Sequence, residues 1–193
     1  MQSRPDQYRE DFHSVIPQRG LIGGTCIALF MLVMIGTAGA APEGPSSKHF
    51  LPQTLPPGFS YAKQPEFYGT SEHKSQDGSI FDYIDGGGII YINHGFREVT
   101  HLVLQDPKKN SVTLDIYDMV NSNNAQAAFD DEMICPKGDV KINVGTQCKS
   151  YAYPPEYLLY FVKDKYLVSL AVSDDTLAET LRQFSTSLYQ DLR

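Results

Sequence analysis

The chain has no tryptophan, only three cysteines and no surplus of positive charge. Lys and Arg number 16 against 23 Asp and Glu in 193 residues, a formal charge of −7. With no Lys/Arg stripe on any predicted element, nucleic acid is not an expected partner, and neither is an anionic lipid surface. There is no CxxC, no CxxCH and no Cys/His spacing of a zinc site, so no metal centre and no cofactor are expected. No serine sits in a GxSxG context, which removes the usual signature of a nucleophilic hydrolase.

Long apolar runs are also scarce, with one exception. Residues 1–20 are polar and mixed in charge, and read as a disordered tail. Arg19 then abuts Leu21 to Ile35 (LIGGTCIALFMLVMI), which leads into small residues around Ala38 and Ala40. A basic flank, an apolar core and an Ala-x-Ala site make residues 21–40 a secretory signal, with cleavage expected after Ala40. An uncleaved anchor is the alternative, since 21–41 is just long enough to span a bilayer. Membrane contact is expected only through residues 21–41, and only if the segment stays uncleaved. The chain is therefore expected to be exported, to the periplasm or the outer face of the membrane. Residues 41–57, rich in Pro and Ser, read as a linker, and 58–193 as a single folded domain.

Only Cys135 and Cys148 lie outside the apolar segment, thirteen positions apart. In an exported chain this predicts a disulfide closing a short loop, worth on the order of 3 kcal/mol in the chain-entropy model.

What the sequence does have is an unusual central stretch, Ser79 to Phe96 (SIFDYIDGGGIIYINHGF). Three consecutive glycines suggest a loop, but the apolar spacing is helical. Ile80, Ile84, Gly87, Gly88, Tyr91 and Ile92 fall on one stripe. Ser79 is placed as N-cap, with Asp82 completing a capping box, and Gly95 is placed as a left-handed stop followed by an apolar contact from Phe96. The expectation is one continuous helix with Gly87 and Gly88 inward and Gly86 outward. Each glycine in a helix interior costs roughly 1 kcal/mol against alanine, so close backbone approach to a sheet, helix or ligand should offset it.

Beyond this helix the pattern alternates. Phe96 to Gln105 and Ser111 to Met119 read as a hairpin about an Asp106–Asn110 turn, followed by a helix with Ala125, Ala128, Phe129 and Met133 on its apolar side. Cys135 to Ser150 reads as a looped segment with an irregular strand near Val140 to Val144. Tyr157 to Val162 and Tyr166 to Val172 form a second hairpin. A final helix starts at Ser173–Asp175 and carries Leu177, Leu181, Phe184 and Leu188. The fold class is α+β: a glycine helix, then two ββα units, with helices packed on one face of an antiparallel sheet in two layers. The second unit could be a degenerate copy of the first.

The string Phe81-Asp82-Tyr83-Ile84-Asp85-Gly86-Gly87, with Tyr91, Gly95 and Phe96 after it, resembles a bacterial domain family of unknown function found in exported proteins. That family shows F-D-Y-I-N-G-G-A-E-x-Y-x-x-x-G-F, then a hairpin with a V-E-I-Y-D-M-like strand and an Ala/Phe-rich helix. Leu114 to Met119 and Ala127-Ala128-Phe129 hold the corresponding places, and the similarity runs from about Leu51 to the C-terminus. This chain departs at Ile89, where the family often has Glu, and at Asp85, where Asn is usual. The resemblance implies the fold and export, and implies no activity.

The candidate binding residues are Asp82, Asp85, Gly86, Gly87 and Gly88 on the glycine helix, with Tyr153 and Tyr157 from a tyrosine cluster around Pro154–Pro155. Asp82, Asp85 and His94 do not share one turn, so one helix cannot bring them to one ion. A phosphate cradle needs the glycines between a strand and a helix start with a nearby Lys, and neither is present. His101, mid-strand, reads as a surface or satisfied core residue. The expected function is a non-enzymatic binding or accessory domain in the envelope, with an envelope protein as the partner. The alternative is a hydrolase or metal-dependent enzyme that gathers Asp82, Asp85, Asp115 and Asp118. Whether those carboxylates converge separates the two.

Overall fold

The structure is a computed structural model and describes residues 49–138, 144–145 and 147–192. The tail, the apolar segment, the first part of the linker and most of the strand expected near Val140–Val144 lie outside the described residues.

Seven antiparallel strands form one sheet in the order β1-β3-β4-β7-β6-β5, with β2 also on the outer edge of β3. The strands are β1 (Ser60–Tyr61), β2 (Glu66–Tyr68), β3 (Glu98–Gln105), β4 (Ser111–Asp118), β5 (Cys148–Tyr153), β6 (Glu156–Lys163) and β7 (Tyr166–Val172). The helices are α1 (Ile80–Ile84), α2 (Gly88–Asn93), α3 (Ser122–Asp130) and α4 (Ala178–Asp191). This is an α+β fold built on an antiparallel sheet.

Strand alternation divides the sheet into two faces. On one, Leu102, Leu114, Leu170 and Leu159 form a single row across β3, β4, β7 and β6. Leu181, Phe184 and Leu188 of α4 pack against that row. On the other, Val99, Tyr117 and Leu167 form a row that Ile80, Ala125, Ala128 and Phe129 cover from α1 and α3. The helices therefore divide between the two faces, where one face was expected from the sequence. β4 and β7 are antiparallel neighbours, so α3 and α4 leave the sheet at opposite ends. The side each takes is the one whose row it buries, Ala125, Ala128 and Phe129 on the Tyr117–Leu167 row and Leu181, Phe184 and Leu188 on the leucine row. A rotation that superposed the two hairpins would keep both helices on one side, so the second ββα unit is not a rotated copy of the first.

The stretch expected as one glycine helix is two short helices joined by a 3-10 turn at Asp85–Gly87. Its start is as expected: the Asp82 carboxylate accepts the Ser79 N–H and the Ser79 hydroxyl, both at 2.9 Å. So is its end: Phe96 N–H donates to Tyr91 O and Gly95 N–H to Ile92 O, around Gly95 at φ 79°. These are the two bonds of a Schellman stop. Between them the chain breaks at Asp85, whose φ of 50° and ψ of −141° lie outside the helical region. Gly88 is buried, but Gly86 and Gly87 are both exposed, which corrects the expectation that Gly87 faces inward. Resetting the helix at Asp85 shifts the apolar stripe, so the periodicity before the break does not carry through it.

The last part of the presumed linker lies on the domain. His49 stacks on Phe67 with ring centroids 3.8 Å apart, and its Nδ1 is 2.9 Å from Glu98 Oε1. Phe50, Leu55 and Phe59 pack against the α4-side core. Of the apolar residues in this run, Phe50, Leu55 and Phe59 thus lie against the sheet, whereas Leu51 is exposed.

Cys135 and Cys148 are free thiols, not the expected disulfide. Cys135 belongs to the core around α3, whereas Cys148 faces the α4-side core opposite Phe161. The two side chains thus belong to different layers. Burial pushes the Cys135 thiol up to about 12 and the Cys148 thiol up to about 11, which leaves both protonated near neutral pH.

Candidate functional site

On the α1/α3 face, the row next to the helix-covered one is polar. His101, Asp115, Ser169, Tyr160 and Lys149 are paired in sequence across β3, β4, β7, β6 and β5, and Glu66 of β2 opposes His101. His101 and Asp115 are only 7% and 9% exposed. A buried histidine beside a buried carboxylate needs partners, and these have them. Asp115 Oδ1 is 2.7 Å from His101 Nδ1 and accepts the Tyr83 hydroxyl at 2.8 Å. The same hydroxyl lies 2.9 Å from Nδ1.

Tyr83 comes from α1, so the cluster also pins that helix to the sheet. Burial first, and then the Asp115 charge, push its ionisation far above the ordinary range. The hydroxyl therefore stays protonated and acts as a donor. Its ring stacks on Tyr68 at 5.1 Å and tilts over His101 at 4.7 Å. Behind it, Tyr91 and Tyr117 stack at 4.4 Å, both pushed up chiefly by burial.

Beyond the polar row none of the described helices covers the sheet, although Tyr151, opposite Leu158 on β5, is buried. Val103, Thr113, Ala171 and Leu158 are half-buried, and Tyr153 at the end of β5 is 63% exposed. Ser111, Thr113, Glu156, Leu158, Ala171 and Ser173 line a shallow hollow of about 200 Å³. A solvated antiparallel face ordinarily carries charged and long polar side chains. Here Glu156 is the one charged residue in that lining.

The residues picked out from the sequence are scattered. Asp82 is spent on the α1 cap, and Asp85, Gly86 and Gly87 are exposed at the helix break, while Gly88 is buried. Tyr153 and Tyr157 face opposite sides of the sheet, because Tyr157 pairs with Ala152 and Tyr153 with Glu156. Tyr157 is buried on the α4 side, with the Arg182 guanidinium 5.4 Å above its ring. Only Tyr153 borders the uncovered strip. Asp115 faces the polar cluster and Asp118 the opposite side, so the four carboxylates of the enzyme reading do not converge. Among the described residues, no three His, Cys, Asp or Glu side chains gather where they could hold a metal ion.

His101 is buried and hydrogen-bonded, the satisfied core residue of the two expected options. Its link to Asp115 and Tyr83 is not read from the sequence, although one signal is available. A hairpin about Lys108 pairs positions whose numbers sum to 216, which sets His101 opposite Asp115. Neither a protein-family model, nor a curated protein, nor a solved structure matches the chain.

Proposed function

We propose that this is an exported binding or accessory domain of the cell envelope, which holds a partner on the uncovered half of its sheet. The observation that carries the reading is the strip of Val103, Thr113, Ala171 and Leu158, which no helix among the described residues covers, beside exposed Tyr153. Sheet surface of mixed apolar and hydroxyl character, with an aromatic at its rim, suits a protein contact. Export is argued from the apolar segment at 21–40 and its small-residue flank. Among the described residues no helix is long and apolar enough to cross a membrane.

Photo-crosslinking in the producing cells tests this reading. A photoreactive residue at position 158 or 171 should give a discrete adduct, and one at exposed Glu179 on α4 should not. Equal labelling at all three positions would count against the strip as the binding surface. Export is tested separately by intact mass: a chain beginning at Ala41 supports it, and an uncleaved chain in the cytosolic fraction opposes it.

A further inference from the structure

Glu66 and His101 oppose each other directly across the β2–β3 ladder, on the face that carries α1. Side chains so placed have Cβ atoms about 4.5–5.5 Å apart. The hydrogen bonds fix what each can offer. Asp115 Oδ1, 2.7 Å from Nδ1, holds the ring proton on that nitrogen, which leaves the lone pair on Nε2. Nε2 makes no hydrogen bond among the described residues, and the His101 side chain keeps 9% of its surface accessible. Glu66 Oε2 accepts the Tyr68 hydroxyl at 3.1 Å and the Lys63 ammonium at 2.7 Å. The Lys63 bond is the first cause holding the Glu66 carboxyl below its ordinary range.

Two acceptors thus stand side by side against the stacked rings of Tyr68 and Tyr83, with the Asp115 carboxylate behind them. From this we infer that Glu66 and His101 form a binding site for an alkylammonium group, and that Lys63 is its intramolecular occupant. An anion would be repelled by the Glu66 and Asp115 carboxylates, and the donors beside it, Lys63 Nζ and the Tyr68 hydroxyl, are already bonded to Glu66. A metal ion would lack ligands, since a zinc site with an open position still needs three from the protein. An ammonium supplies three N–H donors on an apolar stem, and Lys63 shows that such a group reaches Glu66. The side chains of Lys63 and Glu66 are 43% and 27% accessible. Ion pairs this exposed are weak, so an external amine can displace Lys63.

The inference rests on the reading of the domain as a binding module, but its test uses neither Leu158 nor Ala171, so the two can fail separately. Full-length protein with 15N-labelled histidine is titrated with n-butylamine at about pH 8, where an alkylamine is protonated. The His101 Nε2 signal should shift and saturate. Lys63→Ala should tighten binding roughly threefold by removing the internal competitor, and Glu66→Gln should weaken it at least about fivefold. n-Butyrate should give no saturable shift. A blocked Gly-Lys-Gly peptide that binds as well as n-butylamine would assign the site to a partner's lysine, and weaker peptide binding would assign it to a free amine. An unsaturable shift, or an affinity unchanged by Lys63→Ala, overturns the inference.

Discussion

Asp115 and Asp118 stand three residues apart on β4 and face opposite sides of the sheet. Asp115 takes its bonds from Tyr83 and His101 on the α1/α3 face. Asp118, 5% exposed, takes Lys165 Nζ at 2.7 Å and the Val120 N–H at 2.9 Å, and also pairs with Arg97. Each carboxylate is the acceptor around which a separate polar cluster closes, so neither is spare for chemistry shared with the other.

Removing Asp115 should therefore unsettle α1 as well as β4. Asp115→Ala leaves the Tyr83 hydroxyl and the His101 ring N–H without their acceptor, a loss of about 2–6 kcal/mol if each costs 1–3 kcal/mol. Tyr83→Phe removes one donor and leaves the Asp115–His101 bond, so the loss should be about 1–3 kcal/mol. The double variant should cost clearly less than the sum, because the two changes remove one shared interaction. Urea unfolding of the three proteins measures this. Additive losses would mean that the Tyr83–Asp115 bond contributes nothing to stability.

Alkaline pH should unfold the domain through its tyrosines. Burial raises the ionisation of Tyr83, Tyr91 and Tyr117 in the folded chain, whereas unfolded tyrosine ionises near pH 10. A raised folded value means that the stabilisation is complete below about pH 10 and is lost as pH rises beyond it. Each fully buried tyrosine contributes at most about 1.4 kcal/mol per pH unit above that point. Tyrosinate absorbance should rise in two steps, exposed residues first and the buried set together with loss of helix signal. A single step with the fold intact would contradict the burial of this cluster.

How far the sequence reveals this fold depends on the range of the determining contact. Both hairpins, the Ser79–Asp82 cap and the Gly95 stop are set by residues within a few positions of one another, and all are readable. The break at Asp85 is not, because the helical spacing of apolar residues continues across it. Nor is the face each helix takes, because an apolar helix stripe fixes that the helix packs on the sheet but not on which side. Cys135 and Cys148 invite pairing by count and compartment, yet strand alternation turns Cys148 toward the α4 layer. His101 looked unremarkable alone, and gained a role only through Asp115, fourteen residues away on the paired strand, and through Tyr83 from a helix.

Acid should weaken the same domain by another route. The His94 hydrogen bond, at 2.8 Å from its Nε2, is the first cause holding the Asp131 carboxyl below its ordinary range. The Ser79 N–H and hydroxyl do the same for Asp82. Folded values depressed in this way give stabilisation that is present above the unfolded carboxylate range and lost as pH falls through the folded values. Stability should fall steadily below about pH 4. His94→Ala, which breaks the link between α2 and the end of α3, should flatten part of that fall in acid melts. An unchanged acid profile in His94→Ala would remove this pair from the account.

The glycine stretch offers the sharpest contrast, because neighbouring positions should respond with opposite sign. A methyl at Gly88 would lie 2.9 Å from Ile80 Cγ2 and 3.3 Å from Phe81 Cδ1. Ile80 is fully buried and β-branched, so it has little room to move aside. Overpacking of this kind costs about 1–3 kcal/mol, only partly offset by the roughly 1 kcal/mol that alanine gains in a helix. At Gly86 and Gly87 a methyl meets nothing within 4 Å, and neither residue has the positive φ that would strain it. Alanine at either should be neutral or stabilising by about 0.4–1 kcal/mol, through the unfolded chain it restricts. Asp85 should respond most to glycine: its φ of 50° with ψ of −141° is a conformation that costs a side-chain-bearing residue about 1–3 kcal/mol. Asp85→Gly should recover part of that strain, less the extra chain entropy of a fourth glycine. Thermal melts of the four single variants would show Gly88→Ala below the parent and the other three at or above it. If Gly88→Ala melted with the parent, the close contact between α2 and Ile80 would not be what fixes glycine at that position.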